Sequence, residues 1–271
     1  MTPLVSLLIG FIISGVIVYF SYKFGFLSFS GSLSAVFVGT IVLGFGGLNW
    51  GLVLLWFFVS SSLLSRIGKK QKVSLNSVRE KGDRRDVWQV LANGSVASIL
   101  VICHLISPEP IWYFLFISTM AAVTADTWGT EIGALSKSPE RSIINFKKVP
   151  KGTSGGISFV GTLASLLGSF SLTVVGILSQ FAPYKIRTDA MIFICLAGFL
   201  ASLGDSFLGA TIQSRYACSV CNKITERKIH CNQKTSLEGG LRFINNEVVN
   251  FLCSLFGLEF GYIFWVKEDF S

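Results

Sequence analysis

Charged side chains are scarce in this chain of 271 residues, at 14% of the sequence against 51% for hydrophobic residues. The surface of a soluble domain of this size carries far more charge, so that class is excluded. Several apolar runs reach the roughly 20 residues that span a bilayer. Because a spanning segment must satisfy its own backbone hydrogen bonds, we predict an all-α polytopic membrane protein, with residues 1–271 in one integral membrane domain.

Eight apolar segments are predicted to cross the membrane. They cover residues 4–22, 31–48, 50–65, 87–106, 110–128, 155–181, 188–212 and 243–266. The second segment is rich in glycine, so a broken or re-entrant helix is the alternative there. The first segment lacks a small-residue cleavage site after it, which favours a retained helix over a signal peptide.

Basic residues are nearly absent from one side of this predicted topology. Only Lys185, Arg187 and Lys267 lie there, which leaves 20 of the 23 lysines and arginines on the other side. The positive-inside rule makes the crowded side cytoplasmic and puts both termini outside, in a multi-pass protein of the cell membrane. The net charge of +8 is therefore mainly a topological signal, with some attraction to anionic membrane lipids. The basic residues form no nucleic-acid-binding motif, so no nucleic-acid partner is expected.

Polar residues inside the predicted spans converge near their cytoplasmic ends. Asp126 lies at the end of the fifth span, and Asp205 and Asn93 lie about two turns from the same surface. The first two turns of the eighth span add Asn245, Asn246, Glu247 and Asn250. Ionisable groups inside a bilayer usually face a bundle interior or a watery cavity, so we expect one site open to the cytoplasm. Interfacial capping, or pairing with loop lysines, is the alternative role of the two aspartates.

Two pairs of segments suggest a weak internal duplication. "AVTADTWG" resembles "ASLGDSFLG", and "SGSLSAVFVGTIVLGFGG" resembles "GTSGGISFVGTLASLLGS". Both transporters and membrane enzymes use such repeats, so the duplication does not choose between these classes.

The segment "KKVPKGTSGG" has the composition of a phosphate-binding loop. Glycines allow backbone N–H groups to approach an anion, and the start of the following helix adds partial positive charge. Its candidate phosphate-binding residues are Lys147, Lys148, Lys151, Gly152, Thr153, Ser154, Gly155 and Gly156. The Gly-Lys-Ser/Thr order of a Walker A loop is absent. A helix cap flanked by topological lysines is the alternative.

Carboxylates facing such a loop predict a magnesium site. Asp126 and Asp205, with Glu131, are the candidate Mg²⁺ ligands, because Mg²⁺ prefers one or two carboxylates plus phosphate oxygens. Lys151 is expected to neutralise a transferring phosphoryl group. The remaining phosphate-binding candidates are Arg84, Arg85, Asn93, Gly31, Ser32, Asn245, Asn246 and Asn250. Topological charge is the alternative explanation for the two arginines.

A cysteine–histidine cluster lies in the third cytoplasmic loop, residues 213–242. Cys218 and Cys221 form a Cys-x-x-Cys pair, followed by His230 and Cys231. This spacing predicts a structural zinc site, with reduced loop thiols as the alternative. Because His230 and Cys231 are adjacent, it is difficult for both to bind one tetrahedral ion.

Four long motifs resemble one known family. "TADTWGTEIG", "VPKGTSGGISFVGTLASLLGS", "ASLGDSFLGATIQ" and "NNEVVN" are similar to the integral-membrane family that includes transmembrane protein 19 and the plant phytyl-phosphate kinase of vitamin E synthesis. The resemblance covers residues 25–265. It implies transfer of a phosphoryl group from a nucleoside triphosphate, expected to be CTP, to a membrane-embedded isoprenyl monophosphate.

Two alternative functions remain open at this point. A lipid-phosphate cytidylyltransferase would use nearly the same site and release diphosphate. A secondary transporter would fit the repeat and the intramembrane carboxylates, but it predicts polar residues in the outer halves of several spans, where few occur.

Overall fold

The computed structural model describes residues 2–68, 72, 84–180 and 187–268. Within them the chain is mostly helical. The seven helices of the described residues are α1 (Pro3–Lys23), α2 (Phe29–Arg66), α3 (Val87–Ile106), α4 (Pro110–Gly133), α5 (Phe159–Leu178), α6 (Ala190–Thr211) and α7 (Asn246–Glu268). Residue 181, the predicted end of the sixth span, and Lys185 lie outside the described residues.

Six of these helices, all except α4, are long and apolar enough to cross a membrane. Helix α4 is the central helix of the bundle, because every residue from Tyr113 to Ala125 is buried. Its remaining C-terminal part is polar and only partly buried. The apolar part of α4 therefore contacts other helices, and its polar end remains available for a site.

Helix α2 folds back on itself, so the predicted second and third spans are its two arms. A straight helix of 38 residues would be about 57 Å long. Nevertheless Arg66, at its end, lies 3.7 Å above the Phe26 ring just before its start, and also donates a hydrogen bond to the Phe24 carbonyl. The reversal occurs at Gly47, whose φ of 74° and ψ of −163° favour glycine. The predicted break in this segment is thus a fold-back; eight membrane crossings remain a prediction.

Three predicted helix boundaries are corrected by the structure. The fifth span was expected to end at residue 128, but α4 continues to Gly133, so Asp126 lies inside the helix. The sixth begins at Phe159 rather than 155, because the preceding residues form a strand and Ser158 caps the helix. The eighth begins at Asn246, and Asn245 accepts a hydrogen bond from Val248 N–H at 3.1 Å.

Short strands that the all-α prediction missed shape two loops. Strands β1 (Glu140–Ser142), β2 (Lys148–Val149) and β3 (Gly156–Ile157) form an antiparallel sheet in the order β2-β1-β3. A second antiparallel sheet has the order β5-β4-β8 and consists of β4 (Arg215–Ala217), β5 (Ile224–Thr225) and β8 (Ser236–Gly239). A separate two-stranded sheet pairs β6 (Ile229–His230) with β7 (Gln233–Lys234). Strands of two to four residues are too short to show an alternating sequence pattern.

Glycines bring α4 and α5 into close contact beneath the first sheet. A Cβ on Gly161 would lie 3.0 Å from the Gly129 carbonyl oxygen, and a Cβ on Gly168 would lie 2.9 Å from the Trp128 ring. Small residues are the usual means of close helix approach in membranes. This contact holds the start of α5 against the polar end of α4.

Candidate functional site

A polar cavity of about 290 Å³ opens where the ends of α3 to α7 meet the two loop sheets. Twelve of the residues predicted for the site line it: Arg85, Asn93, Asp126, Glu131, Gly152, Thr153, Ser154, Gly155, Gly156, Asp205, Asn246 and Asn250. They come from four helices (α3, α4, α6 and α7), from the glycine-rich segment before α5 and from the chain just before α3. Their catalytic and binding roles remain predictions.

The side chains of Asp126 and Asp205 both line the cavity and lie close enough to interact. Asp126 lies about 10 Å from the end of α4, and Asp205 about 9 Å from the end of α6, at a rise of about 1.5 Å per residue. One buried carboxylate oxygen of Asp205, Oδ2, has no hydrogen-bond partner among the described residues. A buried oxygen of this kind beside a second carboxylate is suited to a cation.

The positive charges of the cavity lie on one side. Lys72 Nζ is 2.5 Å from Glu131 Oε2 and also donates to the Leu64 carbonyl at 2.9 Å. Burial lowers the pKa of Arg85 to about 10, and the nearby charge of Glu131 acts in the opposite direction. Arg85 therefore stays protonated at neutral pH. Both cations lie near the C-terminal end of α2 and the N-terminal end of α3.

The glycine loop, residues 152–156, is held in shape by its own contacts. Gly152 donates its N–H to Glu140 Oε2 at 2.9 Å, so this amide already has an acidic partner. Gly155 has a φ of 76°, and a Cβ there would lie 2.4 Å from Ala210 on α6. Only glycine allows this contact, which places the loop beside the Asp205 helix.

Some predicted site residues lie outside the cavity lining. Lys151 donates to the carbonyl of Ser136, while Lys147 and Lys148 are exposed at strand β2. Arg84 is exposed, with its guanidinium beside Gly25. The others outside the lining are Gly31 and Ser32, at the start of α2, and Asn245, which caps α7.

Sequence reasoning missed several polar residues of the cavity. They are Lys72, Gln89, Glu140, Gln213 and Glu226. Glu247, which the sequence placed at the depth of the site without assigning it a role, also lines the cavity. Glu140 and Glu226 reach the cavity through loop sheets and carried no signal of depth. Among the described residues, six carboxylates and two cationic side chains line the cavity.

A second, apolar groove of about 90 Å³ lies next to the polar cavity. It lies between α1, the two arms of α2 and the start of α3. Its apolar lining includes Val18, Leu27, Val38, Leu54, Phe57 and Phe58. Arg85, Gln89 and Asn93 line both spaces and so mark their junction. An elongated apolar group ending in an anion fits this pairing of surfaces.

The cysteine–histidine cluster could bind a metal. The ligand atoms of Cys218, Cys221, His230 and Cys231 all lie within 4.8 Å of one another. The pKa of Cys218 is lowered to about 6, mainly by a hydrogen bond from the Cys221 backbone N–H. The pKa of Cys231 is raised to about 11, mainly by desolvation. Thiolate character at Cys218 suits a metal ligand.

Known proteins resemble the chain over most of its length. It is 33% identical over 275 residues to Protein PGR of Arabidopsis thaliana, which covers 94% of both chains. It is 32% identical to the uncharacterized membrane protein MJ0933 of Methanocaldococcus jannaschii, over 79% of this chain and 87% of that protein. It is 29% identical to Protein VTE6, chloroplastic, of Arabidopsis thaliana, over 83% of this chain and 61% of VTE6.

No solved structure matches the chain. The family model described as integral membrane protein DUF92 matches residues 12–258, which is most of the sequence. Together with the six long apolar helices, this match makes the chain a multi-pass integral membrane protein, and it belongs to the DUF92 family.

Proposed function

We propose that this protein is a kinase that transfers the γ-phosphoryl group of a nucleoside triphosphate, CTP by expectation, to an isoprenyl monophosphate held in the membrane. The observation that carries this proposal is the junction between the polar cavity and the apolar groove. In this proposal an isoprenyl tail lies along the apolar groove, and its phosphate lies at Arg85. The family resemblance of the four motifs supports the same class of acceptor.

The chemistry is a single phosphoryl transfer. An oxygen of the lipid phosphate forms a bond to the γ-phosphorus, the bond to the bridging oxygen breaks, and the nucleoside diphosphate leaves with that electron pair. Protein groups contribute to such transfers mainly by positioning and by stabilising charge. In this proposal Arg85, Gln89 and Asn93 hold the acceptor phosphate, and the glycine loop holds the triphosphate.

Magnesium fits the donor set of the cavity. Asp126 and Asp205 are the proposed ligands, supported by their contact and by the unpartnered buried Oδ2 of Asp205. When bound, Mg²⁺ would offset the excess of carboxylates and the charge of the phosphates. Glu131, which was also predicted to take part, pairs with Lys72, and in this proposal it holds that positive charge in the polar cavity.

The proposed topology has eight crossings, with the cavity open to the cytoplasm and both termini outside. The distribution of basic residues supports this orientation. The far end of the bundle is packed with aromatic rings, with Trp50 4.6 Å from Phe116 and 5.0 Å from Tyr113 between ring centroids. Few polar residues lie in the outer halves of the predicted spans, which favours an enzyme over a transporter.

The test is an assay of purified protein with CTP, Mg²⁺ and phytyl or geranylgeranyl monophosphate in lipid nanodiscs. We expect equal amounts of CDP and prenyl diphosphate. Release of inorganic diphosphate with a CDP-linked lipid would make the protein a cytidylyltransferase instead. No product with either lipid, or with ATP and GTP in place of CTP, would reject the enzyme proposal. A panel of acceptor chain lengths would then define the preferred lipid.

A further inference from the structure

The loop between α6 and α7, residues 212–245, has little apolar material to hold it together. Its strands are two to four residues long, and Ile224, Ile229 and Leu237 are exposed. All six cysteines lie within the described residues and are free, so no disulfide joins the loop. Segments of this size without a core usually depend on a metal or another cross-link.

The loop nevertheless converges on the four ligand atoms of the cysteine–histidine cluster. Cys218 N–H donates to the Lys223 carbonyl at 3.0 Å, which closes a tight turn around Cys221. His230 Nδ1 lies 3.5 Å from Cys221 Sγ and 3.3 Å from Cys231 Sγ. Metal–sulfur bonds of about 2.3 Å in a tetrahedron give donor separations of about 3.8 Å, which is compatible with this cluster.

The adjacency of His230 and Cys231 is accommodated by the backbone. Cys231 and Asn232 have φ angles of 51° and 57°, which reverse the chain between β6 and β7. This turn allows neighbouring residues to direct both donors to one point, so the objection raised by their spacing is removed. Three thiols and one imidazole favour zinc over a hard ion such as Mg²⁺.

The same loop carries a carboxylate into the polar cavity. Glu226 lies between Cys221 and His230, and its Oε1 accepts hydrogen bonds from Gln213 Nε2 at 2.8 Å and Ser154 Oγ at 3.1 Å. Ser154 belongs to the glycine loop, and Glu226 also acts electrostatically on Asp205. Strand β5 ends directly before Glu226 and pairs with β4, which ends directly before Cys218.

We propose that Cys218, Cys221, His230 and Cys231 bind one Zn²⁺, and that this ion holds the loop that positions Glu226 against the glycine loop. Glu226 is then a positioning residue that orients Ser154, and the zinc site acts through it. Two metal sites of opposite character thus lie on one side of the protein: a thiolate site in the loop and a carboxylate site in the cavity. The zinc site can be measured without any phosphoryl transfer.

The first test is the metal content of the purified full-length protein. We expect about one zinc ion per chain, as in other structural sites. Cys221→Ser should lose it, whereas Cys195→Ser, which changes a buried cysteine of α6, should retain it. Should Cys221→Ser precipitate, Co²⁺ exchange into the wild type decides the question, since tetrahedral thiolate coordination gives visible d–d bands. Zinc-free wild type with no cobalt bands would overturn the proposal.

The second test asks whether the ion positions Glu226. Hydrogen–deuterium exchange in residues 222–229 should become at least about tenfold faster after zinc removal, as expected for loss of local structure. Exchange in α1 should not change. If the proposed kinase activity is present, Cys221→Ser and Glu226→Gln should each reduce it, and the double variant should be no worse than the poorer single variant. If exchange at 222–229 did not change, or if the losses of activity in the two variants were additive, the metal would not act through Glu226.

Discussion

Helices α2 and α5 begin alike but face different surroundings. Ser28 Oγ accepts from Gly31 N–H at 3.0 Å, and Ser158 Oγ accepts from Gly161 N–H at 3.1 Å. In both helices the glycine lies against a neighbouring backbone. The predicted duplication would account for this likeness, since both starts belong to the segments that resemble each other.

The surroundings of the two helix starts differ in polarity. The start of α5 follows the glycine loop and lines the polar cavity, whereas the start of α2 is bound to the chain before α3. There Ser28 N–H donates to the Arg85 carbonyl at 3.0 Å, and Leu27 lines the apolar groove. We therefore expect the groups around a capped helix start, and not the cap alone, to decide whether it binds an anion.

The largest expected effect comes from removing the carboxylates of the polar cavity, which the start of α5 also lines. Asp126→Asn and Asp205→Asn should each lower turnover at least about a hundredfold, because loss of charge stabilisation at a transition state costs on that order. The fold should persist, since the change preserves shape. Asp189→Asn, which alters an exposed carboxylate outside the cavity, is the matched control. Near-normal turnover in either cavity variant would remove that residue from the metal site.

Loss of Arg85 should mainly affect the lipid. Arg85→Ala should raise the KM for the prenyl phosphate about tenfold, since a hydrogen bond to a charged group contributes about 1.5–3 kcal/mol. The nucleotide KM should change less, because the glycine loop lies on the other side of the cavity. Arg84→Ala should have a smaller effect on either substrate, since Arg84 is exposed and outside the lining. A nucleotide-specific defect in Arg85→Ala would reverse the assignment of the two sides.

Stability offers a third way to separate the two helix starts. A Cβ on Gly31 would lie 2.0 Å from the Arg85 carbonyl oxygen, whereas a Cβ on Gly161 has its closest contact, with Gly129, at 3.0 Å. Gly31→Ala should therefore lower the free energy of unfolding by about 1–3 kcal/mol, and Gly161→Ala by less. Thermal unfolding in one detergent would rank the two variants. The opposite order would mean that the chain before α3 moves more easily than the α4–α5 contact.

Depth in the membrane could be predicted from sequence, but loop pairing could not. Asp126, Asp205 and Asn93 reach one cavity because the helical rise fixes how far each lies from a helix end. Glu140 and Glu226 reach the same cavity only through strands of two to four residues, which show no periodic pattern. Acidic residues in such loops resemble ordinary solvated charge.

The direction of a helix break was also beyond the sequence. The glycines around Gly47 indicated a broken segment, but not that the arms of α2 would lie side by side. The apolar groove depends on that fold-back, because both arms line it. Likewise the lysines of "KKVPKGTSGG" indicated an anion site, whereas the structure places Lys147 and Lys148 in exposed positions. Composition could not distinguish a lysine that faces the cavity from one that faces away.

The smallest predicted effect tests whether the glycine loop is the nucleotide side. Lys151 supports this loop indirectly, through its hydrogen bond to the Ser136 carbonyl, so Lys151→Ala should raise the nucleotide KM only about threefold, equivalent to about 0.6 kcal/mol. Lys137→Ala, which alters an exposed lysine of the same connection, should have no effect. Asn246→Ala should instead raise the KM for the lipid, because α7 packs against α3 near the junction. Since a KM is an imperfect measure of binding, nucleotide titration should accompany the kinetics. If Asn246→Ala weakened nucleotide binding and left the lipid unaffected, the two substrates would have to exchange places in the cavity.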